Sequence, residues 1–203
     1  NVIFVDPVDP ENFRKAVTPN TKAMFTESLA NPGGVVCDIE KIAEIAHEAG
    51  VPLIVDNTLP SPALCRPFEF GADIVVHSTT KFISGHGNAM GGAVVDSGNF
   101  DWSQNDKFKG LAESCGAYHG LNFHKTFGPM AFTMYGHAVG LRDLGPTMSP
   151  MNAYLSLTGA ETLSLRMKKH ADNALEVAKW LTTHSQVEWV SYAGLKESPF
   201  YDL

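Results

Sequence analysis

The sequence predicts an α/β fold on a mostly parallel sheet. Short apolar runs recur between residues 21 and 96, helical or turn-rich stretches separate them, and polar, ionisable residues follow each run. Short apolar runs bounded by polar residues suit strands buried on both faces, as in a parallel sheet. Strands alternating with helices at this spacing make βαβ units with right-handed crossovers.

Residues 21–28, with Ala23, Met24 and Phe25, read as the first strand. Asp38 is a good helix N-cap, and behind it Ile39, Ile42, Ala43 and Ala46 recur at i, i+3, i+4 and i+7, one face of a helix. Gly50 supplies a left-handed stop. Residues 51–56 (Val-Pro-Leu-Ile-Val-Asp) form the second strand. A Pro-rich connection with a short helix then leads past Gly71 to a third strand at 74–77, and residues 91–96 read as one more. Residues 97–125 are polar, Gly-containing and weakly periodic, long enough for a functional excursion. Residues 129–144 suit a helix ended by Gly145-Pro146, residues 152–184 a long helix interrupted only by Gly159, and residues 187–192 a last strand. The expected division is residues 1–150 as part of a large sheet domain. Residues 151–203 are then a long linking helix and the start of a C-terminal domain.

With 203 residues, 44% of them hydrophobic and 18% charged, the chain has the apolar content for a sizeable core. Fifteen Lys and Arg against 22 Asp and Glu leave a net charge of −7, which argues against partners such as nucleic acid or an anionic lipid surface. No apolar run approaches a membrane span. Cys37, Cys65 and Cys115 are odd in number with no CxxC pair, so they read as free thiols of a reducing, cytoplasmic compartment. A chain that opens on Asn1 and stops after Pro199-Phe200-Tyr201 reads as an internal piece of a longer polypeptide.

Chemistry in a parallel sheet collects at the carboxyl ends of its strands. Those ends are Glu27-Ser28, Asp56-Asn57 and Ser78-Thr79-Thr80-Lys81, which would converge on one mouth. Asp56 alone reads as a carboxylate capping the next turn, yet it would also stay ionised beside a buried cation such as a protonated ring nitrogen. Lys81 follows a buried strand, where a partly desolvated amine loses its proton more easily and forms Schiff bases with carbonyls. Ser78 and Thr80 share one face of an extended strand, with Lys81 on the other. Their hydroxyls are ordinary turn residues singly and together suit a phosphate. An aspartate for a pyridinium, a lysine for an aldehyde and hydroxyls for a phosphate describe a pyridoxal 5'-phosphate site.

Competing motifs fail on spacing. Gly85-His-Gly87-Asn-Ala-Met-Gly91 has its third glycine one place too late for a dinucleotide loop, and no GxxxxGK[ST] occurs. The eight histidines form no HExxH and no ligand spacing with cysteine. His77 and His86 read as turn or packing residues, and His119 and His124 as exposed ones.

Glu27-Ser-Leu-Ala-Asn31-Pro32, Val55-Asp56-Asn57-Thr58 and Ala72-Asp-Ile-Val-Val-His-Ser78-Thr-Thr80-Lys81-Phe-Ile-Ser-Gly-His86-Gly resemble the Cys/Met-metabolism family of pyridoxal-phosphate enzymes. The likeness continues through Gly159-Ala-Glu161-Thr-Leu-Ser-Leu-Arg166-Met and Val187-Glu-Trp-Val-Ser-Tyr-Ala-Gly-Leu195, where Ala193 replaces a usual proline. Gly98-Asn-Phe-Asp101-Trp102, Tyr118-His119-Gly120-Leu-Asn-Phe and Leu141-Arg-Asp-Leu-Gly145 are similar to the O-acetylhomoserine sulfhydrylase branch.

The resemblance implies fold-type I, the aspartate aminotransferase-like fold, with residues 1–150 in the cofactor-binding large domain. It implies Lys81 as the Schiff-base lysine, Asp56 on the pyridinium nitrogen, Ser78 and Thr80 on the phosphate, and Asn31 near the ring hydroxyl. The family's glycine-containing phosphate loop and ring-stacking tyrosine would precede this segment, and its substrate-carboxylate arginine would follow. The implied activity is γ-replacement on an amino-acid substrate, O-acetyl-L-homoserine, by sulfide or a thiol, in a homo-oligomer. The alternatives are cystathionine γ-synthase or methionine γ-lyase chemistry on the same site, or a non-catalytic fragment of such an enzyme.

Overall fold

Four short strands make one sheet in the order β1-β2-β3-β4, in a computed structural model that describes residues 1–203. Helix α1 (Glu11–Ala16) precedes β1 (Met24–Glu27), α2 (Ile39–Glu48) and β2 (Leu53–Asp56). A one-turn helix α3 (Ser61–Leu64) and a 3-10 turn (Pro67–Phe70) lead to β3 (Ile74–Ser78) and then β4 (Gly92–Asp96). Strands β1, β2 and β3 are parallel, with Glu27 beside Asp56 and Asp56 beside Val76.

Strand β4 departs from the expected parallel pattern. It runs antiparallel to β3, from Ile74 beside Asp96 to Ser78 beside Gly92. The intervening residues 79–91 fold as turns with no helix. A parallel return requires a crossover, commonly a helix, whereas a turn suffices for an antiparallel one.

Alternation along the strands sorts the core into two layers. On one face Leu53, Val55, Met24 and Val75 pack against Ile39, Ile42, Ala43, Ile45 and Ala46 of α2. Asp38 caps that helix by accepting the Lys41 amide at 3.1 Å, and Gly50 follows it at φ 65°. On the other face Ile74 joins Phe100, Trp102, Leu111, Phe123 and Ala131. The segment expected to be a polar excursion therefore supplies a structural layer. It carries α4 (Lys109–Ala112) and α5 (Phe123–Phe127), followed by α6 (Ala131–Tyr135). Trp102 stacks on Phe132 at 5.1 Å and meets Phe108 edge-on at 5.1 Å. Its few large aromatics bury much area without the regular periodicity that marks a long helix. Beyond α6 the chain widens into a π-helix (Gly136–Asp143), and Gly145 follows at φ 82°.

Two further expectations change. The long helix is two, α7 (Pro150–Ala160) and α8 (Leu163–Thr182), and the break falls at Glu161-Thr162 rather than at Gly159. Gly159 lies within α7, and its bare Cα packs against the Ser84 carbonyl, where a Cβ would collide. Residues 187–192 form no strand; they pair with neither edge of the sheet.

Candidate active site

The carboxyl ends of β1, β2 and β3 open onto one cavity of about 700 Å³. All five residues singled out from the sequence, Asn31, Asp56, Ser78, Thr80 and Lys81, line it, as does Glu27. Parallel pairing does this. It brings strand ends that lie far apart in sequence to the same side of the sheet.

Asp56 is half-buried at the end of β2, and its Oδ1 accepts the Thr58 amide at 2.9 Å. The second oxygen takes no hydrogen bond from the protein. The Ser78 amide donates to Thr58 Oγ1 at 2.8 Å and ties the ends of β2 and β3 together. Below them Asn57 is fully buried: its Oδ1 accepts from Ser28 Oγ at 2.8 Å and its Nδ2 donates to the Cys65 carbonyl at 2.8 Å. His77 Nδ1 lies 3.1 Å from the Asn57 carbonyl and donates to it, since a carbonyl only accepts. Burial lowers the His77 pKa from its ordinary value, so the ring favours the neutral form. These contacts bear out packing as the role of His77. Glu27 accepts the Asn31 amide at 3.0 Å, closing the turn after β1.

Strand β3 stops at Ser78, so the expected opposition of Lys81 to Ser78 and Thr80 does not arise. The Lys81 amide donates to the Ser78 carbonyl at 3.2 Å, and all three residues line the cavity. Lys81 is an exposed residue, where a partly desolvated amine was expected. Ser78 Oγ makes no hydrogen bond to the protein, whereas Thr80 Oγ1 donates to the Gly91 carbonyl at 3.2 Å and accepts the Gly91 amide at 3.0 Å. The sole Thr80 hydroxyl proton is thus committed to the backbone.

Two residues of α8, Arg166 and His170, also line the cavity. Sequence reading gave neither a role. Their i, i+4 spacing puts them on one helix face, but nothing local tells that this face meets a turn more than 80 residues earlier. The Tyr118-His119-Gly120 segment does not reach the cavity. Tyr118 Oη donates to Asp143 at 2.6 Å instead, a bond that raises the phenol pKa. His119 is exposed, whereas His124 is half-buried, 3.6 Å from Asp101. The three cysteines are free, and burial pushes the thiols of Cys37 and Cys65 up. No cluster of His, Cys, Asp and Glu is arranged to hold a metal, and no helix is long and apolar enough to cross a membrane.

This geometry has relatives. The chain is 49% identical over 208 residues to the O-acetyl-L-homoserine sulfhydrylase of Leptospira meyeri, covering 98% of this chain and 47% of that protein. It is 49% identical over 202 residues to the homocysteine synthase of Schizosaccharomyces pombe, with the same coverage. Among solved structures, a protein assigned as an O-acetylhomoserine (thiol)-lyase from Campylobacter jejuni carries an N'-pyridoxyl-lysine-5'-monophosphate. It superposes with a TM-score of 0.91 at 39% identity, covering 97% of this chain and 48% of that one. The chain thus spans about half the length of the curated relatives it matches. The sheet with its flanking helices is the fold-type I arrangement shared with that structure. With residues 1–203 matched from end to end, the chain belongs to the family of Cys/Met metabolism PLP-dependent enzymes.

Proposed function

We propose that this chain carries the cofactor half of an enzyme that exchanges the acetate of O-acetyl-L-homoserine for sulfide or a thiol, giving homocysteine or methionine. The observation that carries the reading is the convergence of Lys81, Asp56 and Ser78 on one cavity. The donor set fits pyridoxal 5'-phosphate: a primary amine for the aldehyde, a carboxylate oxygen without a protein partner, and a hydroxyl without one. When bound, the cofactor supplies an electron sink for charge developing on the substrate carbons. Asp56 would hold the proton on the ring nitrogen, Asn31 would serve the ring hydroxyl, and Ser78 and Thr80 would take the phosphate. Ser78 carries more of that contact, because Thr80 must first release Gly91. The Lys81 amine would move protons at the α- and then the β-carbon of the substrate.

Residues 1–150 would belong to the large domain and residues 151–203 to a linking helix and the start of a C-terminal domain. The assembled enzyme would be a homo-oligomer in the cytoplasm, working on small-molecule substrates. Borohydride reduction of the intact protein loaded with pyridoxal phosphate, followed by peptide mapping, tests the site. The pyridoxyl label is expected on Lys81, with homocysteine formed from O-acetylhomoserine and sulfide. Label on Lys22, Lys41 or Lys107 with none on Lys81 would defeat the assignment.

A further inference from the structure

We propose that Arg166 is the positioning residue for Lys81, holding the turn that carries the amine in its working place. The inference rests on reading Lys81 as the cofactor lysine. Lys81 stands in a turn outside any strand or helix, and its exposed side chain makes no ion pair. Three hydrogen bonds close that turn: Lys81 amide to Ser78 carbonyl at 3.2 Å, Ser84 amide to Thr79 carbonyl at 3.0 Å, and Gly85 amide to Lys81 carbonyl at 2.8 Å. The carbonyls of the two residues after Lys81 point away, and no backbone amide reaches them. Arg166 does. Its Nη1 donates to the Phe82 carbonyl at 2.8 Å and its Nη2 to the Ile83 carbonyl at 3.3 Å.

The same guanidinium fastens the turn to the helices behind it. Nη2 donates to the Gly159 carbonyl at 2.7 Å, near the end of α7, and Nε to Thr162 Oγ1 at 3.0 Å, just before α8. No carboxylate lies in ion-pair range of Arg166; its hydrogen bonds go to three carbonyls and one hydroxyl. One turn further along α8, His170 packs on Phe82 with ring centroids 5.5 Å apart. Space for the arrangement comes from Gly85, where a Cβ would sit 2.6 Å from Nη1. A planar fork with five donors serves several carbonyls at once, whereas a lysine ammonium at the end of a flexible stem does not. Ordering the turn matters because small displacements of a reacting group slow its reaction steeply.

Arg166→Ala and Arg166→Lys in the intact protein test this through affinity for pyridoxal phosphate, the pH at which the bound cofactor changes colour, and hydrogen exchange at Ser84 and Gly85. Melting temperature is followed alongside. Arg166→Ala is expected to weaken cofactor binding about tenfold, to move the colour midpoint, and to speed exchange at both amides, with kcat falling more than KM rises. Arg166→Lys is expected to recover part of each effect. If the alanine variant does not fold, the lysine variant decides by the same readouts. A folded variant with affinity and colour midpoint like the parent overturns the inference, even if its melting temperature drops. Label away from Lys81 in the borohydride experiment overturns the functional reading instead, so the two failures are told apart.

Discussion

At the residue scale the site is a matter of which polar atoms are already committed. The Thr58 amide fixes Asp56 through one oxygen and leaves the other without a protein partner. That arrangement separates shape from charge. Asp56→Asn keeps the size of the side chain and an oxygen for Thr58, so the fold is expected to survive. The amide carries no charge with which to hold a proton on the cofactor nitrogen. Turnover in the intact enzyme should therefore fall by about a hundredfold or more, the scale of losing a preorganised electrostatic contact in a shielded site. Steady-state kinetics on a variant with an unchanged circular dichroism spectrum is the check, and near-normal turnover would remove Asp56 from the electron-sink role.

The helices behind the site matter as much as the strands in front of it. Strand ends deliver Asp56 and Ser78, but the turn bearing Lys81 rests on α7 through Gly159 and on α8 through Arg166. Gly159→Ala sets two effects against each other. Helix propensity favours alanine by up to about 1 kcal/mol. The added methyl meets the Ser84 backbone, which has no rotamer with which to yield. Overpacking of this kind costs about 1–3 kcal/mol, so the variant should be destabilised despite its better helix former. Its denaturant midpoint is expected to drop, and borohydride labelling at Lys81 to fall with it. A midpoint at or above the parent's would show that α7 and the turn separate freely.

For the whole molecule the notable quantity is apolar surface left open. Phe4 is 93% exposed, Leu157 70%, Leu165 74% and Trp189 74%, and the residues spread over the N-terminal segment, α7, α8 and the tail. Large apolar side chains this exposed favour association with other apolar surfaces. The chain matches about half the length of its relatives, and its cavity offers no aromatic other than Phe82 and His170 for a cofactor ring. Expressed alone, these 203 residues should self-associate and bind pyridoxal phosphate weakly or not at all, without sulfhydrylase activity. Size-exclusion chromatography, cofactor titration and a homocysteine assay settle it. Tight stoichiometric binding with turnover would mean the site is self-sufficient.

Sequence alone determined the strands, the α2 helix with its cap and stop, and the candidate residues at the strand ends. Each leaves a local mark: an apolar run, a 3.6-residue period, an N-cap, or a polar residue directly after a buried strand. Residues 97–125 read as polar because a handful of aromatics carry their burial, and residues 187–192 read as a strand because propensity says nothing about a missing pairing partner. Only the tertiary structure decided that β4 runs backwards, that Lys81 lines one cavity with Ser78 and Thr80, and that Arg166 and His170 reach it. These depend on contacts between segments far apart in the chain, where a carbonyl three ångströms from a guanidinium has no signature in the local pattern of either.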